Sequence, residues 1–209
     1  MSIDLRNSPA HPAERALVRH ASGPRAPGWW GMVMLIVTEA MLFGSLIAAY
    51  FYIRFGSDPV WPPEGIETPS LELPLIMTAI LFSSSIPVHM ADRAVRRGNQ
   101  FVLRWGLLVG FLLGAAFMSL QLGIEYPEKL QEFSPTDHAY GSLFYTITGF
   151  HGMHVLVGLA LSVWVQIRAW RGAFDEHRHV TVQNFVLYWH FVDAVWAAVL
   201  ATVYLSPNF

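Results

Sequence analysis

Glu39, Glu125, His151, His154, His190 and Asp193 are ionisable residues set inside or at the edge of long apolar runs. An ionised group at the centre of a hydrocarbon layer costs about 2.5–3.5 kcal/mol even on the lenient insertion scales, so it persists only where it is paired, neutralised or useful. His151 with His154, and His190 with Asp193, stand three residues apart, which puts each pair on one side of a helix. At about 1.5 Å per residue from the basic ends of their runs, Glu39 and Asp193 lie roughly 15 Å deep. His190 is shallower, and His151 and His154 lie nearer the midplane. These five groups, from three runs, are expected to share one interior. Glu125 follows Gln121 toward the other end of its run and is expected to reach the interface.

Three chemistries fit such a set. Two histidines facing each other across helices could hold a haem, and His154 with His190 is the candidate pair; a neutral buried histidine bonded to a carboxylate or carbonyl is the commoner case. Intramembrane carboxylates and histidines also mark proton or ion paths. An autonomous carrier would be expected to show paired broken helices and inverted repeats, and neither is visible. The third is a hydrogen-bonded knot that fixes helix positions, with Glu39 either protonated or paired. The residues alone leave all three open.

The elements that must position these groups are long helices. The chain has 209 residues, 54% hydrophobic and 13% charged, with no cysteine and a net charge of −2. A soluble domain carries about 25% charged residues, so the deficit argues for a membrane. Near-neutral charge argues against nucleic acid, and the lack of cysteine excludes disulfides and thiolate metal or iron–sulfur sites. Apolar runs of about 20 residues match a hydrocarbon core of about 30 Å. Five are predicted, at roughly 29–53, 73–91, 103–124, 140–167 and 184–205. The polar or Pro/Gly-rich stretches 56–72, 92–100 and 125–138 are expected as loops. Residues 1–27 form a polar N-terminal tail with no signal-peptide pattern, and 28–209 a single five-helix domain.

Direction follows from the cations. Arg6, Arg15, Arg19, Arg25, Arg93, Arg96, Arg97, Arg104, Arg168, Arg171 and Arg178 fall on one side, with only Arg54 and Lys129 on the other. Such a split predicts the N-terminus in the cytoplasm and the C-terminus outside. Trp29, Trp30, Trp105, Trp164 and Trp170 fall near the predicted inner interface. Gly106, Gly110 and Gly114, four apart, form a packing face; Gly149, Gly152 and Gly158, and Ala194, Ala197, Ala198 and Ala201, supply further small surfaces within the bundle or toward another subunit.

Several strings carry a resemblance. "WPPEGIETPSLELPL" (61–75), "GSLFYTITGFHGMHVLVG" (141–158), "YWHFVDAVWAAVLATVYL" (188–205) and "TEAMLFGSLIAAYFY" (38–52) resemble subunit III of the haem–copper oxidases, in order and over about residues 28–205. The resemblance implies the five-helix bacterial form, in a plasma membrane. Glu39 and the "WPP…GI" loop are similar to the cytochrome c branch; quinol-oxidase subunits, nitric-oxide-reductase-associated relatives and a b-type membrane cytochrome are the alternatives. It implies a non-catalytic chain without cofactor, with haem and copper in subunit I. Direct contact would be with subunit I, then subunit II and small subunits, and cytochrome c would be met through the complex. It further implies that Glu39 is the family's buried carboxylate, that His151, His154, His190, Asp193 and Glu125 match its intramembrane polar positions, and that Arg168 contacts a phospholipid headgroup. The family's other wall around that arginine comes from two helices this chain does not have.

Overall fold

A computed structural model describes residues 26–56, 61–63, 66 and 69–208. The arginines of the N-terminal tail and part of the loop after the first helix lie outside the described residues. Among the described residues, five helices are long and apolar enough to cross a membrane. They are α1 (Pro27–Gly56), α2 (Glu72–Val95), a rod begun by α3 (Gln100–Leu120), α5 (Ala139–Trp170) and a last rod begun by α6 (Val180–Val199).

Both rods contain a widened turn. The α3 rod passes through a π-helical turn, Gln121–Glu125, into α4 (Tyr126–Glu132). The expectation that residues 125–138 form a loop is therefore corrected over 125–132. Pro127 has no N–H to give, and the wide turn directly before it closes through Tyr126 N–H to Gln121 O instead. After α6 the chain makes a second π turn, Leu200–Leu205, then a 3₁₀ turn, Ser206–Asn208.

Local signals set the ends. Asn99 accepts from the N–H of Val102 at 3.1 Å and caps α3, while His138 accepts from Gly141 N–H at 2.8 Å and caps α5. Gly98 and Gly172, at φ 69° and 70°, follow the last turns of α2 and α5, where an αL residue is needed.

α6 lies at the centre, packed against α1, α2 and α5, while α2 and α3 form the most extensive pair. Small residues permit these approaches. A Cβ on Gly106 would stand 2.7 Å from the Pro87 carbonyl oxygen, and one on Gly110 would collide with Val88. Gly114 and Gly158 make room for one indole: their Cβ positions lie 2.6 Å and 2.8 Å from Trp189 ring atoms. Trp189 is fully buried, and its Nε1 donates to Ser84 Oγ at 2.9 Å. Trp196, also fully buried, donates to Thr78 Oγ1 at 2.8 Å and meets Phe117 edge-on at 4.8 Å. Buried indoles need such partners, and here the partners come from α2. α1 is peripheral. It turns Met32, Ile36, Glu39, Phe43, Leu46 and Tyr50 inward and leaves Met34, Val37, Met41 and Leu42 exposed.

Candidate functional site

The ionisable residues do not share one interior. The helices divide them into three clusters and one isolated ring.

The first cluster joins α1 to α5. Glu39 sits on the inward stripe of α1, and its Oε2 lies 3.0 Å from His154 Nε2. The Glu39 side chain is 32% exposed and that of His154 8%, so the carboxyl lies at the margin of the bundle rather than within it. His154 Nδ1 is 2.7 Å from the carbonyl oxygen of Phe150. A carbonyl only accepts, so Nδ1 carries a proton. Nε2 and Oε2 then hold one further proton between them, either as carboxylic acid and neutral imidazole or as carboxylate and imidazolium. In both forms the pair is neutral as a unit, which removes most of the penalty of an isolated intramembrane charge. Phe43 packs edge-on to the imidazole at 5.0 Å, and Tyr188 donates to the His154 carbonyl at 3.1 Å.

The second cluster joins α2 to α6. Ser85 donates to Asp193 Oδ2, and its oxygen is 3.1 Å from His190 Nδ1. His89 lies beyond, its ring centre 5.9 Å from that of His190. His154 therefore turns toward α1 and His190 toward α2, and they do not face each other. The donor set does not fit a bis-histidine haem, so the candidate pair named from sequence is not brought together. Among the described residues no group of three or more His, Cys, Asp or Glu side chains is placed to hold a metal ion.

The third cluster lies between the two π turns. Glu125 is buried, which corrects its expected place at the interface, and Tyr204 donates to its Oε1. Each residue stands on one of the widened turns, and the extra residue in each turn re-aims the side chains toward one another. Gln121 donates to the Thr148 carbonyl at 3.4 Å, and Tyr126 to Thr148 Oγ1 at 3.1 Å. His151 belongs to none of these. It is fully buried between Trp196, at 5.0 Å, and Phe117, at 5.9 Å, and neither ring nitrogen has a hydrogen-bond partner.

Arg168, in the last turn of α5, lies over Trp164 at 5.0 Å and Phe174 at 5.2 Å. Arg104 lies over Trp170 at 5.3 Å and donates to the Ala169 carbonyl. These are ring-stacked cations at one end of the bundle.

Ser85 and Tyr204 were not singled out from sequence. The triplet Ser83–Ser85 in the middle of an apolar run was the available signal for the first. For the second there was no signal, since an aromatic near a helix end is ordinary.

A family model for cytochrome c oxidase subunit III matches residues 19–207 of the chain. The chain is 38% identical over 175 residues to a probable cytochrome c oxidase subunit 3 of Nocardia farcinica, covering 83% of this chain and 85% of that protein. It is 33% identical over 180 residues to cytochrome c oxidase subunit 3 of Thermostichus vulcanus, covering 86% and 87%. It is 37% identical over 182 residues to the Anopheles gambiae protein of the same name, covering 84% and 68%.

Proposed function

The chain belongs to the cytochrome c oxidase subunit III family, and on that premise we propose what its own residues contribute to the oxidase complex. It is a multi-pass membrane subunit of that complex. Its contribution is to hold and exchange a proton beside the catalytic subunit, with no redox centre of its own. Haem and copper reside in partner subunits, and electrons from cytochrome c reach oxygen there.

The observation that carries this reading is the Glu39–His154 contact. The pair keeps one proton between two atoms of matched geometry, at the bundle margin, with the carboxyl one-third exposed. The exposed apolar residues beside it on α1, Met34, Val37 and Met41, suit a cover of protein or lipid, and we assign the adjoining surface to subunit I. Subunit II and small subunits make no contact required by this reading. His151, His190, Asp193 and Glu125 act on the pair only through helix position.

The arginine-rich end is assigned to the cytoplasm and the plasma membrane of a bacterium is the assigned location, on the eleven-to-two division of the cations. Arg168 fits a phospholipid headgroup through guanidinium hydrogen bonds; its stacking on Trp164 and Phe174 holds it at the interface.

The test is Glu39→Ala in the assembled oxidase. Loss of one partner leaves His154 Nε2 unsatisfied, a cost of about 1–3 kcal/mol, small beside the packing of five helices. Assembly is expected to persist, with near-normal initial oxygen consumption and either faster inactivation over many turnovers or slower proton uptake. An unchanged rate, inactivation and uptake would refute the reading.

A further inference from the structure

Glu125 and Tyr204 take no part in the Glu39 pair, yet both are buried and each stands on one of the two π turns. Widened turns of this kind recur at functional sites. The Tyr204 hydroxyl donates to Glu125 Oε1, while Oε2 has no hydrogen-bond partner among the described residues.

The other tyrosines are placed differently. Tyr50 shares its hydroxyl with Trp61 and Ser206, Tyr126 donates to Thr148 Oγ1, and Tyr145 and Tyr188 donate to backbone carbonyls. The Tyr140 hydroxyl is buried without a partner among the described residues, and Tyr52 is exposed. Hydroxyls and amide carbonyls bind a proton far less readily than a carboxylate does. Among the described residues, Tyr204 is therefore the tyrosine with a base in reach of its proton. That matters for redox chemistry, because a phenol gives up an electron far more easily when its proton leaves in the same step.

A row of rings connects Tyr204 to the surface. Its ring lies 5.7 Å from Phe144, Phe144 lies 6.3 Å from Tyr140, and Tyr140 lies 5.4 Å from Trp61. Each step falls in the ring-contact range of about 4.5–7 Å. Trp61 is half-buried, and the three rings behind it are fully buried. An oxidant meets the row at Trp61, and the row meets a base at Tyr204.

We propose that Tyr204 and Glu125 form a proton-coupled electron donor that refills Trp61 after its oxidation by lipid peroxyl radicals. The peroxyl radical takes one electron from Trp61 and one proton from water, and becomes a hydroperoxide. One electron from Tyr204 passes by way of Phe144 and Tyr140 to restore Trp61. The phenolic proton crosses the existing hydrogen bond to the Glu125 carboxylate. The products are a neutral tyrosyl radical and a neutral carboxylic acid, so no charge is left on the pair in the apolar bundle. The oxidising equivalent is thereby drawn off the accessible indole into a shielded site.

The test uses the purified oxidase complex in bilayers of polyunsaturated lipid, with an azo initiator to generate peroxyl radicals. The unaltered complex is compared with Tyr204→Phe and Glu125→Gln. The glutamine keeps the bond, since its carbonyl accepts from Tyr204, but it does not take the proton. Conversion of Trp61 to kynurenine is read by peptide mass spectrometry against Trp105, which is 46% exposed and contacts Phe101 and Trp170 instead of the row. The ratio of Trp61 to Trp105 oxidation is expected to rise severalfold in both variants. A tyrosyl EPR signal formed in the unaltered complex is expected to diminish in both. If Tyr204→Phe does not assemble, Glu125→Gln decides the matter. An unchanged oxidation ratio, or an undiminished tyrosyl signal in Glu125→Gln, would overturn the proposal and leave the contact as a bond between two turns.

Discussion

Glu39 Oε2 and His154 Nε2, 115 residues apart in the chain, lie 3.0 Å apart at the margin of the bundle. The Phe150 carbonyl takes the proton of Nδ1 and so leaves one proton for the contact between them. The relationship answers how a carboxyl persists in an apolar helix. It is kept not as a lone charge but as half of a pair that is neutral as a unit.

The seat of Trp189 is the most sterically exacting point of the bundle. Gly114→Ala and Gly158→Ala each place a methyl under 3 Å from the indole, and each is expected to destabilise by about 1–3 kcal/mol through overpacking. Gly44→Ala, with nothing within 4 Å of the new methyl, is the control and is expected to be neutral or slightly stabilising. Thermal unfolding of the detergent-solubilised protein measures all three. Equal midpoints for Gly114→Ala and Gly44→Ala would remove the indole seat from the account.

Glu125 and Tyr204 hold the two π turns together. Tyr204→Phe leaves Glu125 Oε1 without its donor, and Oε2 already has none. A loss of about 1–3 kcal/mol is expected. Tyr204→Phe with Glu125→Leu together should cost less than the sum of the two single changes, since the second then strands no carboxyl. Additive losses in unfolding measurements would mean that the two side chains are not coupled.

Sidedness is open to a direct check. A reporter active only outside the cytoplasm is expected to give signal when fused after Asn208 and none when fused after Arg97. Signal at Arg97 would reverse the assignment drawn from the eleven-to-two cations.

The turn between α5 and α6 has its own pH response. Arg178 Nε donates to Asp175 at 2.7 Å, the backbone N–H groups of His177 and Arg178 add two more hydrogen bonds, and the Asp175 carboxyl is held down at about 2. An ordinary aspartate lies near pKa 3.9, so the ordering is complete above about pH 4 and is lost as pH falls through about 2. The protection factor of the Arg178 amide is expected to fall over that window, and to be low throughout in Asp175→Ala. Protection that persists below about pH 2 would contradict the assignment.

Much of this architecture is legible in the residues. Hydropathy located five spans because lipid imposes a length, and the glycine stripe at 106, 110 and 114 marked a close-packing face because only backbone-sized residues permit one, while the partners on it, α2 and Trp189, were not legible. The partners of the polar groups were not legible. A hydropathy pattern fixes depth but says little about rotation, so Glu39, His154, His190 and Asp193 looked like one cluster when His154 turns toward α1 and His190 toward α2. Pro127 after Glu125 was an unused signal: a residue without an N–H at the end of an apolar run marks a place where the helix must widen or stop.

The most direct measurement separates the bond between Glu39 and His154 from the proton it holds. Glu39→Gln keeps the hydrogen bond, because its amide N–H donates to Nε2, but the amide cannot give up or take a proton. Proton uptake and activity over successive turnovers should be followed in three assembled oxidases: the unaltered complex, the Glu39→Gln variant and the Glu39→Ala variant. The account expects Glu39→Gln to match the unaltered complex in assembly and thermal stability, and to match Glu39→Ala in slowed uptake or accelerated inactivation. A Glu39→Gln complex that takes up protons and endures turnover as the unaltered one does would contradict it, and would leave the pair as a structural bond alone.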